Sequence, residues 1–417
     1  MDKITDKLFA KFGNVDAPVF IEKQGKDFIY YGEKNDYPYY LINLAQQSAY
    51  HAAILSGKVD YICGGGWSVD TSGMNTLGKA EAWEVLKNKF NTKETLNEIT
   101  RRCVTDLEYF NGFAVLIKDG KSFHYIDFCN LRTNADETEF YYTRKWVKYD
   151  RNGKMIGANA NPENEPDYKA YKAYDPKSPK GEQIYYFKVP HPDMKVYPLP
   201  MYKGAVTWIN VDVLLAKYFF ETVDGAFLPT HLFNFFNGTP PTEEAQDKIE
   251  RQIKEKFTGK GYEGQGALRF MLNFAQSKDN AVDIQKLETT DADKQYDAVR
   301  KYSEQAIFTG HRVTSPMLFG IKTEGQLGGR TELMFAEESF QNVYVSARQN
   351  MVELVFNEIL SNLGMGSRIF LNRTRKVGYM FSDSAIEAAL TTNEKRNYIL
   401  TQLGVTPTMQ KFASEED

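Results

Sequence analysis

The longest regular pattern of hydrophobic positions runs from Thr331 to Leu363, a stretch without proline or glycine. The spacing of its apolar residues in steps of three and four predicts one helix with a single buried face, about 45 Å long at ~1.5 Å per residue. Thr331 is expected to cap its beginning, and Gly364 to end it. The apolar positions are Leu333, Ala336, Phe340, Tyr344, Ala347, Met351, Val355, Ile359 and Leu363.

A second helical pattern covers residues 291–309, and a glycine-rich stretch joins it to the long helix. Pro316 is expected to stop the first of these helices, because proline cannot continue the backbone hydrogen bonds. The glycines of the stretch predict a mobile tip, since glycine has the widest choice of φ and ψ. They are Gly320, Gly325, Gly328 and Gly329.

The first 204 residues mix helical and strand patterns, so the fold class indicated is α+β. Residues 150–182 are polar and rich in Xaa-Pro steps, which predicts a long surface excursion. Asp119-Gly120 and Asn152-Gly153 are typical of hairpin turns. Helices are predicted over 37–63 (as a pair), 77–90 and 95–110, and strands over 113–118, 123–127, 140–147 and 183–189. A short amphipathic helix is expected over 1–10.

The remaining segments lie on both sides of the long helix. Before it, the patterns predict a helix over 205–225, strands over 227–236, 267–274 and 282–287, and a helix that Thr242 caps. After it, they predict a strand pair over 368–372 and 376–381, followed by short helices.

Composition excludes several classes of protein. Hydrophobic residues make up 42% of the 417 and charged residues 25%, values typical of a globular chain of more than one lobe. The net charge of −4 argues against a broad basic surface for nucleic acid. Cys63, Cys103 and Cys129 are widely spaced, which suggests no disulfide framework. No apolar run approaches the roughly 18 residues that span a membrane.

Short motifs that could indicate catalysis stand in the wrong context. Gly259–Gly264 matches G-x-G-x-x-G, but it follows a helix and precedes a strand, the reverse of a dinucleotide fold. Gly320–Gly325 has phosphate-loop spacing without the following Lys and Ser/Thr. His311 is expected at a helix end, and the triplet Gly64–Gly66 as a connector, although an anion nest is the alternative. We expect no enzyme, no cofactor and no metal site.

Several short segments follow one another in an order that resembles the portal proteins of tailed bacteriophages. The likeness covers residues 36–363, and each segment alone is common. The family usually has two prolines after the valine where this chain has Thr314-Ser-Pro316, and the chain is short for the family. The segments are Asn35–Leu41, Asp106–Ile117, Leu131-Arg132, Tyr185–Pro192, Tyr197–Pro200, Phe227–Pro229, Gly310–Gly320 and Arg348-Gln349.

The resemblance implies a portal-like architecture and its partners. The parts would be an α/β wing (1–204), a stem helix (205–226), an α/β clip (227–290), a second stem helix (291–310), a tunnel loop (311–330), a long tunnel helix (331–363) and a reduced C-terminal part (364–417). Copies would form a homo-oligomeric ring, commonly a dodecamer, at one vertex of a virion assembled in the bacterial cytoplasm. Double-stranded DNA would pass through it, and the terminase large subunit, a head–tail adaptor and the major capsid protein or a scaffold would bind it, with no membrane involved.

Two groups of residues would then face the DNA path. The loop residues are Lys322, Gly325, Gln326, Gly328 and Arg330. Residues 312–330 have a net charge of +2, because they contain Arg312, Lys322 and Arg330 and a single acidic residue, Glu324. The helix residues are Glu332, Glu337, Glu338 and Arg348, and five glutamates against one arginine give residues 332–363 a charge of −4. Flexible cations suit transient phosphate contacts, whereas an acidic wall repels phosphates.

Two other functions stay open from the sequence. One is an oligomeric virion protein without a DNA channel. The other is a carbohydrate-active hydrolase that uses scattered Asp and Glu pairs.

Overall fold

A computed structural model describes residues 20–70, 91, 93–149, 155–158, 166–224, 231–235, 248–249, 270–274, 292–322, 329–364, 366–373, 377 and 391–402. Its helices are α1 (Tyr37–Gln47), α2 (Ala49–Cys63), α3 (Leu96–Phe110), α4 (Val206–Asp224), α5 (Ala292–Gly310), α6 (Arg330–Phe340), α7 (Ser346–Asn362) and α8 (Thr392–Gln402). Its strands are β1 (Glu22–Gln24), β2 (Ile29–Tyr31), β3 (Trp67–Val69), β4 (Gly112–Lys118), β5 (Ser122–Ile126), β6 (Leu131–Thr133), β7 (Glu139–Tyr142), β8 (Val147–Tyr149), β9 (Met155–Ala158), β10 (Lys169–Ala173), β11 (Glu182–Lys188), β12 (His231–Phe235), β13 (Phe270–Phe274) and β14 (Ile369–Leu371). The mixed α+β class is confirmed.

A six-stranded sheet in the order β5-β4-β11-β10-β7-β6 organises the first two hundred residues. Only β10 and β11 run parallel in it. Asp119 and Gly120 make the predicted β4–β5 turn with left-handed φ values of 50° and 61°. Because side chains alternate along a strand, β4 sends Phe113 and Val115 into one hydrophobic core and Ala114 into another. The sheet therefore has a core on each face.

The first core lies under α1, α2, the start of α4 and the end of α5, where Ile307 and Ile209 are fully buried. The second core lies under α3 and the long helix, where Phe356 packs on Trp67 with ring centroids 5.4 Å apart. Both cores include residues of α2, so this helix packs into the cores on both faces of the sheet. A Ser48 cap at its first turn fixes where α2 begins.

The predicted long helix is present from Arg330 to Asn362, but it differs from the expectation in two ways. Its N-cap is Gly329 and not Thr331, which already lies inside the helix. A π-turn at Gln341–Val345, in which Ser346 N–H donates to the carbonyl of Gln341, separates α6 from α7. We call residues 330–362 the long helix.

The π-turn changes which residues of α7 are buried. It inserts the equivalent of one residue, about 100° of rotation, between the two helices. Phe340 and Tyr344 are buried as predicted, but Ala347 is exposed, and Val352 is fully buried where the prediction placed the half-buried Met351. The predicted burial of Ala347 is wrong for this reason.

Other predictions were wrong in detail. The polar stretch 150–182 contains β10, whose one buried side chain is Tyr171. The segment 140–147 divides into β7 and β8 around a short break. Helix α5 ends at Gly310, and Pro316 instead begins the 3-10 turn Pro316–Phe319.

The C-terminal strand has a partner that the sequence did not predict. β14 pairs antiparallel with β3 near the beginning of the chain. The predicted second strand, 376–381, lies outside the described residues except for Val377. The predicted helices over 1–10 and 77–90 and most of 227–290 also lie outside them, and within 227–290 β12 and β13 form a parallel pair.

Candidate functional site

The segment between α5 and the long helix is held against α2 at its base. The Phe319 ring rests on the backbone of Gly57, where a methyl group would come within 2.5 Å of the ring. The same ring makes edge contacts with Tyr61 and Phe340. Thr314 Oγ1 donates to the carbonyl of Ala336 at 2.8 Å. The base of the predicted tunnel loop is therefore fixed to helices on both of its sides.

A buried pair of histidines joins the end of α5 to the beginning of α2. His51 Nδ1 and His311 Nε2 lie 2.8 Å apart, so one ring donates a hydrogen bond to the other. Both rings also pack on Tyr202, with centroid distances of 4.6 Å and 4.9 Å. Burial and the nearby Lys58 charge lower the pKa of His51 to about 3, and the same two causes lower that of His311 well below its usual value. The pair is neutral in the folded protein. We call it the histidine joint.

Two helical turns further along α2, a cluster of buried charges joins α2 and α3 to the long helix. Lys58 Nζ donates to the Tyr344 hydroxyl at 2.9 Å, and this hydroxyl donates to Glu108 Oε2 at 2.6 Å. Arg348 Nε lies 3.4 Å from Glu108 Oε1, and its Nη1 donates to Asn111 Oδ1 at 2.7 Å. All four members, Lys58, Glu108, Tyr344 and Arg348, are at most 3% exposed. We call them the charged joint.

The charged joint has two cations for one carboxylate. Burial is the main cause that lowers the pKa of Lys58 to about 8, and Arg348 lowers it further, whereas Glu108 raises it. Burial also raises the pKa of Tyr344 well above its usual value. Tyr344 lies in the π-turn, so the joint holds the turn against α2 and α3.

The predicted loop cations are exposed at both ends of the loop. Lys322 follows the fixed base and Arg330 begins the long helix, and both side chains are exposed. Gly325, Gln326 and Gly328 lie outside the described residues.

The predicted helix charges divide into two groups. Glu332 and Glu338 are exposed, as an acidic wall requires. Glu337 and Arg348 are each 3% exposed, and Glu337 accepts hydrogen bonds from the Val377 amide at 3.0 and 3.1 Å. The prediction that these two charges line an open surface is wrong, because both are used inside the chain.

The other candidate motifs have structural roles where they are described. All three amides of the Gly64–Gly66 triplet donate to backbone carbonyls, of Asp60, Asn372 and Cys63, so none is left for an anion. The expected connector is confirmed. Gly259–Gly264 lies outside the described residues. Within the described ranges, no three or more His, Cys, Asp or Glu side chains are grouped to hold a metal, and no helix is long and apolar enough to cross a membrane.

Among the described residues, most of the exposed large hydrophobic side chains lie on the α4–α5 pair and on the long helix. Five lie on α4 and two on α5, and Tyr218 of α4 stacks on Tyr296 of α5. Three more lie on the long helix. The α4–α5 group is Trp208, Leu214, Tyr218, Phe219, Phe220, Val299 and Tyr302, and the long-helix group is Phe335, Val343 and Leu354. Exposed apolar patches of this kind are typical of surfaces that bind another protein.

No protein-family model matches this sequence, and none of the curated proteins matches it. Among solved structures, the fold is similar to a chain in the neck of an empty gene transfer agent particle, computed with C6 symmetry. The TM-score is 0.51 at 15% identity, over 89% of this chain and 94% of that chain.

Two further matches come from native gene transfer agent particles. One is from the virion, with a TM-score of 0.47 at 13% identity over 89% of this chain. The other is from the neck computed with C12 symmetry, with a TM-score of 0.45 at 14% identity over 88% of this chain. Each covers 94% of the matched chain. The first similarity shows that the fold is shared over nearly the whole chain.

Sequence reasoning did not find Lys58, Glu108 or the pairing of His51 with His311. One signal was present, because Lys58 interrupts the apolar face that Leu55, Val59 and Ile62 give to α2. A charge at such a position needs a buried partner. The partners come from segments 50 and 286 residues away, which no local pattern reveals.

Proposed function

We propose that copies of this chain form a closed ring at the head–tail neck of a phage-like particle, and that this ring is the portal for double-stranded DNA. The observation that carries the proposal is the fold similarity, over 89% of the chain, to a chain of a particle neck computed with C6 symmetry. A neck with rotational symmetry accords with a ring of identical subunits.

The exposed apolar faces support the assembly. A cyclic ring needs two different faces on each subunit, because each copy meets one neighbour on each side. Among the described residues, the α4–α5 pair and the long helix each expose apolar side chains that a lone chain would leave in water.

The loop supports a DNA path. Lys322 and Arg330 are exposed at the two ends of the segment, while Phe319 and Thr314 fix its base. A tip with cations and glycines on a rigid base can follow a phosphate backbone without reading its sequence. Glu332 and Glu338 lie in the first three turns of the long helix that follows it, and they disfavour tight binding.

The purified 417-residue chain tests the ring. We expect a mass of many chains by light scattering, and closed rings with an open centre by electron microscopy. A stable monomer or dimer at micromolar concentration contradicts the proposal and favours the hydrolase. Rings whose centre is closed favour a virion protein without a DNA channel.

The loop is tested by stiffening it. Gly325→Pro with Gly328→Pro removes backbone freedom at the tip, so DNA packaging should fall at least tenfold while ring mass stays unchanged. Thr323→Ala with Leu327→Ala changes side chains in the same loop but leaves its backbone free, and it should package normally. Normal packaging by the proline variant would reject the role of the loop.

A further inference from the structure

The exposed side of the long helix carries apolar and small polar residues along its middle, with exposed carboxylates at Glu332, Glu338 and Glu358 toward its ends. Phe335, Val343 and Leu354 are 66%, 63% and 68% exposed. From Ser339 to Leu354, each residue of the long helix that is exposed is uncharged. Those exposed residues are Ser339, Asn342, Val343, Ala347, Asn350 and Leu354. We call Phe335, Val343 and Leu354, with the small and polar residues between them, the stripe.

The π-turn is what aligns the stripe. Leu354 follows Phe335 by nineteen residues, which would leave the two side chains about 100° apart around an uninterrupted α-helix. Because the π-turn takes up the equivalent of one residue, the offset falls to about zero. The charged joint holds this turn through Tyr344. The buried contacts of Tyr344 thus hold the π-turn that brings Phe335 and Leu354 to the same side of the helix.

Solvent and DNA are poor occupants for the stripe. Three large apolar side chains more than 60% exposed on one line disfavour contact with water. A surface that meets phosphates needs cations, and the exposed residues from Ser339 to Leu354 include none. A protein surface of matching apolar character is the occupant that remains.

The α4–α5 face has that character and the complementary charge. Its most exposed aromatic side chains are Phe220, at 72%, and Tyr302, at 64%. Lys217 and Lys301 are exposed and close in sequence to these aromatic residues, whereas the long helix exposes Glu332 and Glu338 near the Phe335 end of the stripe. Apolar centres with opposite charges at their edges are typical of stable interfaces.

We infer that the stripe of one subunit packs against the α4–α5 face of the next copy of this chain. The long helix is then a subunit contact along its middle, and not an open tunnel wall there. The inference rests on the proposed ring and names the contact that closes it. The two faces differ, so the contact is head-to-tail and propagates around the ring.

Charges placed on either face test the contact. Val343→Asp with Leu354→Asp should convert the ring to a single chain by light scattering, since buried unpaired charges oppose association. Phe220→Asp should do the same from the other face. Asn362→Asp adds one charge to the long helix at an exposed position off the stripe, and it should keep the ring. Unchanged far-ultraviolet circular dichroism shows that each variant is folded.

Mixing the two disrupted variants tests the pairing itself. Each keeps the face that the other lacks, so an equimolar mixture should give a mass of two chains and no larger species. No association in the mixture overturns the inference, and so does a ring retained by either variant. In those cases a wild-type ring leaves the proposed function intact, whereas a wild-type monomer overturns both.

Discussion

The histidine joint and the charged joint attach the same face of α2 to the two segments on either side of the loop, but by different chemistry. His51 meets His311 after α5, and Lys58, two turns later, meets Tyr344 of the long helix. The histidine joint is neutral at pH 7, and within the described part of the chain it makes no ion pair. In the charged joint, the carboxylate of Glu108 stabilises the two buried cations, Lys58 and Arg348. We therefore expect one anchor to respond to acid and the other to loss of a single anion.

The largest effect is expected from the charged joint. Glu108→Gln keeps the shape of the side chain but leaves Lys58 and Arg348 buried without an anion, so unfolding should require about 3–5 kcal/mol less free energy. Denaturant unfolding measures the loss. Adding Lys58→Met returns the joint to its original net charge and should recover part of it. A Glu108→Gln variant as stable as wild type would show that the cluster is hydrated.

The histidine joint should fail in acid. The unfolded chain binds protons at its histidines near pH 6.5, whereas burial lowers the pKa of His51 to about 3 in the fold. Protons therefore favour the unfolded state below about pH 6.5, and stability should fall on the order of a few kcal/mol as pH approaches 3. Lys58, with a pKa of about 8, is already protonated at pH 7, so it adds no change in this range.

Melting temperatures at pH 7 and pH 5 measure this difference. The drop should be smaller in His51→Gln or His311→Gln than in wild type. Carboxylates also titrate in acid, but they are common to all three proteins and cancel in the comparison. An equal drop in all three would show that the imidazoles are not the acid-sensitive groups.

Glu337 and its neighbour Glu338 give a smaller, matched contrast. Glu337→Gln weakens the hydrogen bonds that the buried carboxylate accepts from Val377, at a cost of about 1–2 kcal/mol. Glu338→Gln changes an exposed side chain and should stay within about 0.5 kcal/mol of wild type. Chemical denaturation of both variants measures this difference in the free energy of unfolding. Equal stabilities would place Glu337 on the surface.

The smallest effect concerns the contact between the two joints. Gly57→Ala forces Phe319 away from α2, at a cost of about 1–3 kcal/mol, which alanine's helix propensity offsets by about 1 kcal/mol. Gly204→Ala, where nothing lies within 4 Å, should be neutral. Thermal melts compare the two. If both were neutral, the Phe319 ring would not be fixed on α2.

The long helix shows how far sequence reasoning reaches. Its bounds were within one residue at each end, and four predicted buried residues, Phe340, Tyr344, Val355 and Ile359, are buried. The π-turn was missed because no residue type marks it, and Ala347 was therefore placed on the wrong side. The same error hid the stripe, whose members share one line only after the turn is included.

The candidate site was harder to predict than the fold. Glu337 and Arg348 are charged, so the sequence alone favoured a solvated surface for both. Their burial depends on Val377, Glu108 and Asn111, which come from other segments. β10 was missed for the opposite reason, because a strand with one buried side chain has the composition of a loop.

The pairing of β14 with β3 has a consequence for synthesis on the ribosome. The second core contains both Trp67 and Ile369. The residues that the N-terminal part of the chain contributes to this core therefore stay incompletely packed until some three hundred further residues have been translated. During that time Val104 and Phe113 lack the long helix that covers them, and the nascent chain is open to chaperones and to aggregation. Translation pauses before residue 330 should therefore reduce the yield of native chain more than pauses after residue 371.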